Sequence, residues 1–206
     1  MRVLILTPEF PPRIVGKIGE DVSALASELR KAGVSVEVIT YHESVSGVET
    51  LDNGVQVRRV SNPVSPHINI LTWTLNMSSE IQRAVADAVY APASPPIDLI
   101  DVQEWHGVVA AVAAKKAFGL PIIYTTYSLE DHRSLNPEDP LSIGIKSIEW
   151  LGAYEAKIVL ARSERVMSDL TAIHRVPTDK IRKIPSDDSD WVQRNLGVYG
   201  EVIGNG

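Results

Sequence analysis

Short, wholly apolar runs alternate along this chain with longer stretches whose apolar residues recur every three or four positions. Val3–Leu6 is such a run, closed by Thr7-Pro8, and reads as a strand buried on both faces. A loop with Pro11, Pro12 and Gly16 follows. Ile18, Val22, Leu25, Ala26, Leu29 and Ala32 then fall on one helical stripe, which Gly33 is placed to end. Val34, Val36, Val38 and Ile39 make the next strand, completing a βαβ unit whose crossover is right-handed. Residues 48–60 predict two short strands around Asp52-Asn53-Gly54, because Asn-Gly favours tight hairpins. A helix over 70–90 ends near Ala91-Pro92-Ala93-Ser94-Pro95-Pro96, a connection within one domain. Asp98–Val102 is a strand, Val108–Phe118 a helix stopped by Gly119-Leu120-Pro121, and Ile122–Thr126 a further strand. Residues 129–141 are polar and rich in turn formers, so a loop or lid is expected there. Helix 142–153, strand Lys157–Ala161, helix 164–174 and strand Ile181–Ile184 complete the pattern. From Ser186 onward no period is evident. The expected division is one domain over 1–190 and, over 191–206, an irregular tail or the remnant of an interdomain linker.

Such alternation predicts an α/β fold, Rossmann-like and doubly wound, with a mostly parallel sheet and helices on both faces. Ligands of such sheets bind beyond the carboxyl ends of the strands. The loops to search are therefore 7–19, 40–47, 103–107, 126–141 and 162–164. Length and composition agree with this picture: 206 residues, 44% hydrophobic, suffice for one well-buried domain. The net charge of −6 argues against a general nucleic-acid binder. With no cysteine there is no disulfide, zinc–thiolate site or thiol nucleophile. No stretch reaches the about 18 apolar residues of a membrane span, and Glu9 with two nearby prolines ends the only leader-like run. A cytoplasmic location is the expectation.

Three strand ends carry candidate chemistry. At Thr7–Glu20 a glycine-containing loop enters a helix, where backbone N–H groups and the helix dipole can receive a phosphate. Gly16, Lys17 and Gly19 are the residues concerned, although turn formation and close packing explain the two glycines equally well. At Asp101–His106, Glu104 and His106 can bind hydroxyls or shuttle a proton and Trp105 can stack on a sugar ring. Burial of Trp105 and capping of the next helix is the plainer account. At Thr125–Glu130, Tyr127 or Ser128 can contact substrate, or simply cap and pack. The five histidines show no metal-ligand spacing, so neither a metal nor a cofactor is expected.

Four segments in order resemble the glycogen/starch synthases and related retaining glycosyltransferases, which have two facing Rossmann-like domains (the GT-B fold). Pro8-Glu9-Phe10-Pro11-Pro12 through Gly16-Lys17-Ile18-Gly19-Glu20, with the helix ending at Ala32-Gly33, is similar to the family's Lys-x-Gly-Gly-Leu opening. Asp98-Leu99-Ile100-Asp101 to Trp105-His106 and the Ala-rich helix after it are similar to the family's His-Asp-Trp-His segment. Lys157–Glu164 resembles a later strand with its serine, and Val176–Pro185 the run before the interdomain linker. The resemblance implies an N-terminal, acceptor-side half. Its loop at Gly16, Lys17 and Gly19 would approach the donor diphosphate, while Glu104, Trp105, His106 and Tyr127 would face the acceptor. It implies glucose transfer from ADP- or UDP-glucose to an α-glucan, with a donor-binding C-terminal domain supplied in cis or in trans.

The pattern is not complete. The family lysine falls on Ile14 and its second glycine on Lys17; the histidine expected at the reacting sugar falls on Tyr127, followed by Ser128. Glu104 and Tyr127 remain as catalytic candidates. After Pro185, Ser186-Asp187-Asp188-Ser189 replaces Asn-Gly-x-Asp. The cations that would grip a donor diphosphate are not among these residues, so the isolated chain is expected to turn over little. A carbohydrate- or partner-binding module that has lost catalysis is the alternative. A dinucleotide enzyme is disfavoured by the missing compact glycine fingerprint.

Overall fold

A computed structural model describes residues 1–92 and 94–204; Ala93, within the proline-rich connection, and Asn205 and Gly206 lie outside the described residues. Its centre is an eight-stranded sheet: β1 (Arg2–Thr7), β2 (Ser35–Tyr41), β3 (Gly47–Thr50), β4 (Gln56–Val60), β5 (Leu99–Gln103), β6 (Ile122–Thr126), β7 (Ile158–Ala161) and β8 (Ile181–Lys183). The strand order is β3-β4-β2-β1-β5-β6-β7-β8. Every pair is parallel except β3 with β4, the hairpin at Asp52-Asn53-Gly54. Val3 of β1 lies between Val36 and Leu99, so the strand is apolar on both faces because helices cover both.

The helices are α1 (Lys17–Lys31), α2 (Ile70–Val89), α3 (Val108–Phe118), α4 (Glu130–Arg133), α5 (Pro140–Glu155), α6 (Glu164–Ala172) and α7 (Trp191–Gly204). Val22, Leu25, Ala26 and Leu29 of α1 join Val198, Tyr199 and Val202 of α7 in the core on one face. Met77, Ile81, Ala110, Ala111, Ile145 and Val166, from α2, α3, α5 and α6, fill the other. The chain therefore changes face between β1 and β5. Loops after these two strands diverge there and open a crevice at the carboxyl edge.

Two expectations are corrected. Residues 129–141 do not form one long loop: α4 and the start of α5, with Asp139 capping α5 through Ser142 N, leave only Leu129 and 134–139 irregular. Residues 191–204 are not an irregular tail but α7. Three glycines, Gly197, Gly200 and Gly204, each cost a helix about 1 kcal/mol and obscure its period. Tertiary contacts supply what propensity lacks. Tyr199 Oη donates to buried Asp101, Lys157 Nζ donates to the Val202 carbonyl at 2.9 Å, and Arg162 lies 5.2 Å from the Trp191 ring centre.

Candidate functional site

At the crevice an open cleft of about 720 Å³ lies between the loop after β1, the end of β2, the start of α2 and the turn after β5. Asn69 fixes its far wall. Its side chain accepts from Thr72 N at 2.9 Å while the Thr72 hydroxyl accepts from Asn69 N, a reciprocal cap that starts α2 at Ile70. One turn into α2, Trp73 meets Tyr41 edge-on with ring centres 4.8 Å apart. Arg13 reaches over the Tyr41 ring at 5.0 Å and donates to Glu43 at 2.6 Å. His106 completes the wall, stacked on Trp105 at 4.3 Å and edge-on to Trp73 at 6.3 Å. Burial holds the His106 imidazole down at about 3, helped by Arg133 and Arg13, so it is neutral at pH 7. Its Nδ1 has no hydrogen-bond partner among the described residues.

The loop at Gly16 contains its own anion. The Glu9 carboxylate, 2% exposed, accepts from the backbone N–H groups of Val15, Gly16 (2.9 Å) and Gly19 (3.0 Å). Gly16 and Gly19 offer unpaired donors of the first turn of α1 and Val15 one just before it, where the helix dipole favours a negative charge. Gly19 is packed on this side chain: a Cβ there would lie 3.4 Å from Glu9 Cγ. Lys17 is exposed, beside Ser186 at 2.8 Å and Asp21 at 3.9 Å.

Glu104 and Trp105 were expected on the acceptor side; the structure buries both, at 2% and 3% exposure. Glu104 has φ 63°, a strained backbone for a side chain with a Cβ. It is held by its own N–H to the Thr125 carbonyl at 2.8 Å. Its carboxylate accepts from Tyr127 N at 2.7 Å and Ser128 N at 3.0 Å, which ties the end of β5 to the loop after β6. Gly107 lets the turn behind it approach β1, where a Cβ would lie 3.0 Å from Leu6 Cβ. Burial pushes the Glu104 carboxyl up to about 7 despite Arg133 at 3.6 Å and the two N–H donors. Arg133 is shared with Glu149 (2.6 Å) and Glu130 (3.3 Å). Tyr127 lies away from the cleft, with Arg162 5.5 Å from its ring centre and Gln103 Oε1 3.4 Å from its hydroxyl. Burial raises its phenol further above the ordinary value, so it remains protonated.

Of the residues singled out in the sequence, the cleft gathers Gly16 and His106; Lys17, Gly19, Glu104, Trp105 and Tyr127 do not line it. Polar and aromatic cleft residues that the sequence reading did not single out are Arg13, Tyr41, Glu43, His67, Asn69 and Trp73. Only Asn69-x-x-Thr72 ahead of an apolar helix gave a local signal, as a capping box. No described helix is long and apolar enough to cross a membrane. Among the described residues no group of three or more His, Cys, Asp or Glu could hold a metal.

An uncharacterized glycosyltransferase of Methanocaldococcus jannaschii is 28% identical over 191 residues, covering 93% of this chain and 47% of that protein. Glycogen synthase of Mycobacterium tuberculosis is 25% identical over 149 residues, covering 65% of this chain and 35% of that enzyme. The chain thus spans about half, or less, of the length of the curated relatives it matches. Sucrose-phosphate synthase from Thermosynechococcus elongatus superposes with a TM-score of 0.68 at 15% identity, over 89% of this chain and 47% of that one. The fold is that of the N-terminal half of a GT-B glycosyltransferase. The family model for the glycosyl transferase 4-like domain matches residues 18–187, and the chain belongs to that family.

Proposed function

We propose that this chain is the acceptor-side half of a retaining hexosyltransferase, completed by a donor-binding domain in cis or in trans. The observation that carries the reading is the cleft at the switch point, with the exposed edges of the largely buried Tyr41 and Trp73 in its wall and neutral His106 beside them. The resemblance supplies glucose as the transferred group, ADP- or UDP-glucose as donor, and an α-glucan as the first acceptor to test. Gly16, Lys17 and Gly19 keep a part in donor binding only through the outer surface of their loop, since Glu9 fills its inner side. Glu104 and Tyr127 act as positioning residues for the loop after β6 rather than as groups that move a proton. The diphosphate then depends on cations of the donor-binding half, and the chain alone turns over little.

Mixing this chain with a matching donor domain and nucleotide-[14C]glucose tests the reading. Incorporation into added saccharide acceptor is expected from the pair and not from either part. No incorporation by a verified complex sinks it. One observation favours a second reading, a binding module without catalysis: the position of the family's reacting histidine holds Tyr127, which lies outside the cleft. Acceptor binding that persists while every donor-domain pairing stays inactive would select it.

A further inference from the structure

The charged groups of the cleft are largely engaged inside the protein. Both oxygens of Glu9 accept from backbone N–H groups. Arg13 donates to Glu43 and to the Pro8 carbonyl, and its charge is offset by Glu43. The Asn69 carbonyl oxygen is spent on the cap of α2. His67, exposed, the Asn69 amide nitrogen and the partly exposed His106 ring are the polar groups left at the cleft, although His106 Nδ1 itself is buried. The remaining surface is apolar: Pro8, Val15, Ile18, Ile70, Tyr41 and Trp73. This character continues onto both lips, with Ile14 47% and Val15 74% exposed on one and Ile68 89% and Ile70 44% exposed on the other.

A polyhydroxylated chain laid along such a surface would exchange water for few partners, and each unpaired hydroxyl weakens binding. An apolar body gains by the same surface, because the lips are already solvated hydrocarbon. The absence of net charge at Arg13–Glu43 fits a neutral ligand. We propose that the acceptor of this cleft is a neutral glycoside of an apolar alcohol, its sugar at the His106 end and its apolar body along Val15, Ile70 and Trp73. This rests on the cleft being the acceptor site and narrows the acceptor class away from long glucans.

Calorimetric titration of the chain with octyl glucoside below its micellar concentration, phenyl glucoside, maltotriose and 1-octanol tests it. At least one of the two glucosides is expected to bind about tenfold more tightly than maltotriose, and which one shows whether the apolar body is a chain or a ring. Ile70→Ser, at a half-exposed position that folding tolerates, is expected to weaken that glucoside about fivefold. Val15→Ser is a second variant at a still more exposed position. Maltotriose binding as tightly as the glucosides would overturn the proposal and leave the acceptor site standing. Octanol binding as tightly as octyl glucoside would overturn the glycoside. No binding of any saccharide or glucoside at millimolar concentration would overturn both this proposal and the acceptor site.

Discussion

Glu9 after β1 and Glu104 after β5 occupy neighbouring strand ends, on either side of the point where the chain changes face. Both are buried carboxylates spent on backbone N–H groups, yet their surroundings differ. Glu9 sits at the start of a fifteen-residue helix, on donors that helix leaves unpaired. Glu104 has two loop N–H groups and a share of one guanidinium that Glu130 and Glu149 also claim. The same device is therefore supported by a helix terminus in one place and crowded by like charge in the other. Residues that look like ligand groups at a strand end can be the braces that shape the site.

Removing the brace with the simpler surroundings gives the largest expected effect. Glu9→Ala leaves three N–H groups without their acceptor and should cost about 3–5 kcal/mol in urea unfolding. Glu9→Gln keeps the shape and should cost less. A loss below about 1 kcal/mol for the alanine variant would show that the loop holds itself, and the comparison would fail.

The second effect sets the two environments apart by pH. Burial holds Glu104 near 7 against an ordinary 4.5, so between those values the folded protein binds more protons than the unfolded chain. Stability from this group is present below about 4.5 and is lost as pH rises through 7, by up to roughly 3 kcal/mol. His106 works in the opposite sense. Held at about 3 against 6.5, it contributes stability present above 6.5 and lost as pH falls toward 3. The two oppose one another over the middle of the range, so the difference between wild type and Glu104→Gln isolates the carboxylate. That difference should decline between about pH 4.5 and about pH 7; a flat one would show that Glu104 titrates as if exposed.

The smallest effect concerns a third buried carboxylate in the same sheet. Asp101, raised by burial, is held by Tyr199 of α7 and by Thr125. Tyr199→Phe should cost about 1–3 kcal/mol in thermal or urea unfolding, with α7 loosened first in hydrogen exchange. Unchanged exchange in α7 would mean that its apolar face alone secures it.

Most of the fold was legible because strand runs such as Val3–Leu6 and stripes such as Val22–Leu25–Leu29 are local patterns. The tail was not legible, because α7 depends on partners such as Asp101 and Arg162 that are distant in sequence. The site was legible only as a place. The loops after β1 and β5 were identified, and His106 with Gly16 did reach the cleft. Which side chains face it depends on burial of Trp105, on the left-handed backbone at Glu104 and on Glu9 folding back onto α1. No residue spacing announces any of these. Trp73 and Tyr41 carry the wall from elements whose aromatic residues look like ordinary core.

Trp191 adds a practical consequence to the docking of α7. Its ring lies beneath the Arg162 guanidinium, which also covers Tyr127. An indole next to a fixed positive charge has an emission spectrum set by that charge and its distance. The other tryptophans mark the cleft (Trp73), the core (Trp105) and the outer surface of α5 (Trp150). The chain thus carries an optical gauge of α7 in its own sequence, separable from the rest by replacing one indole at a time.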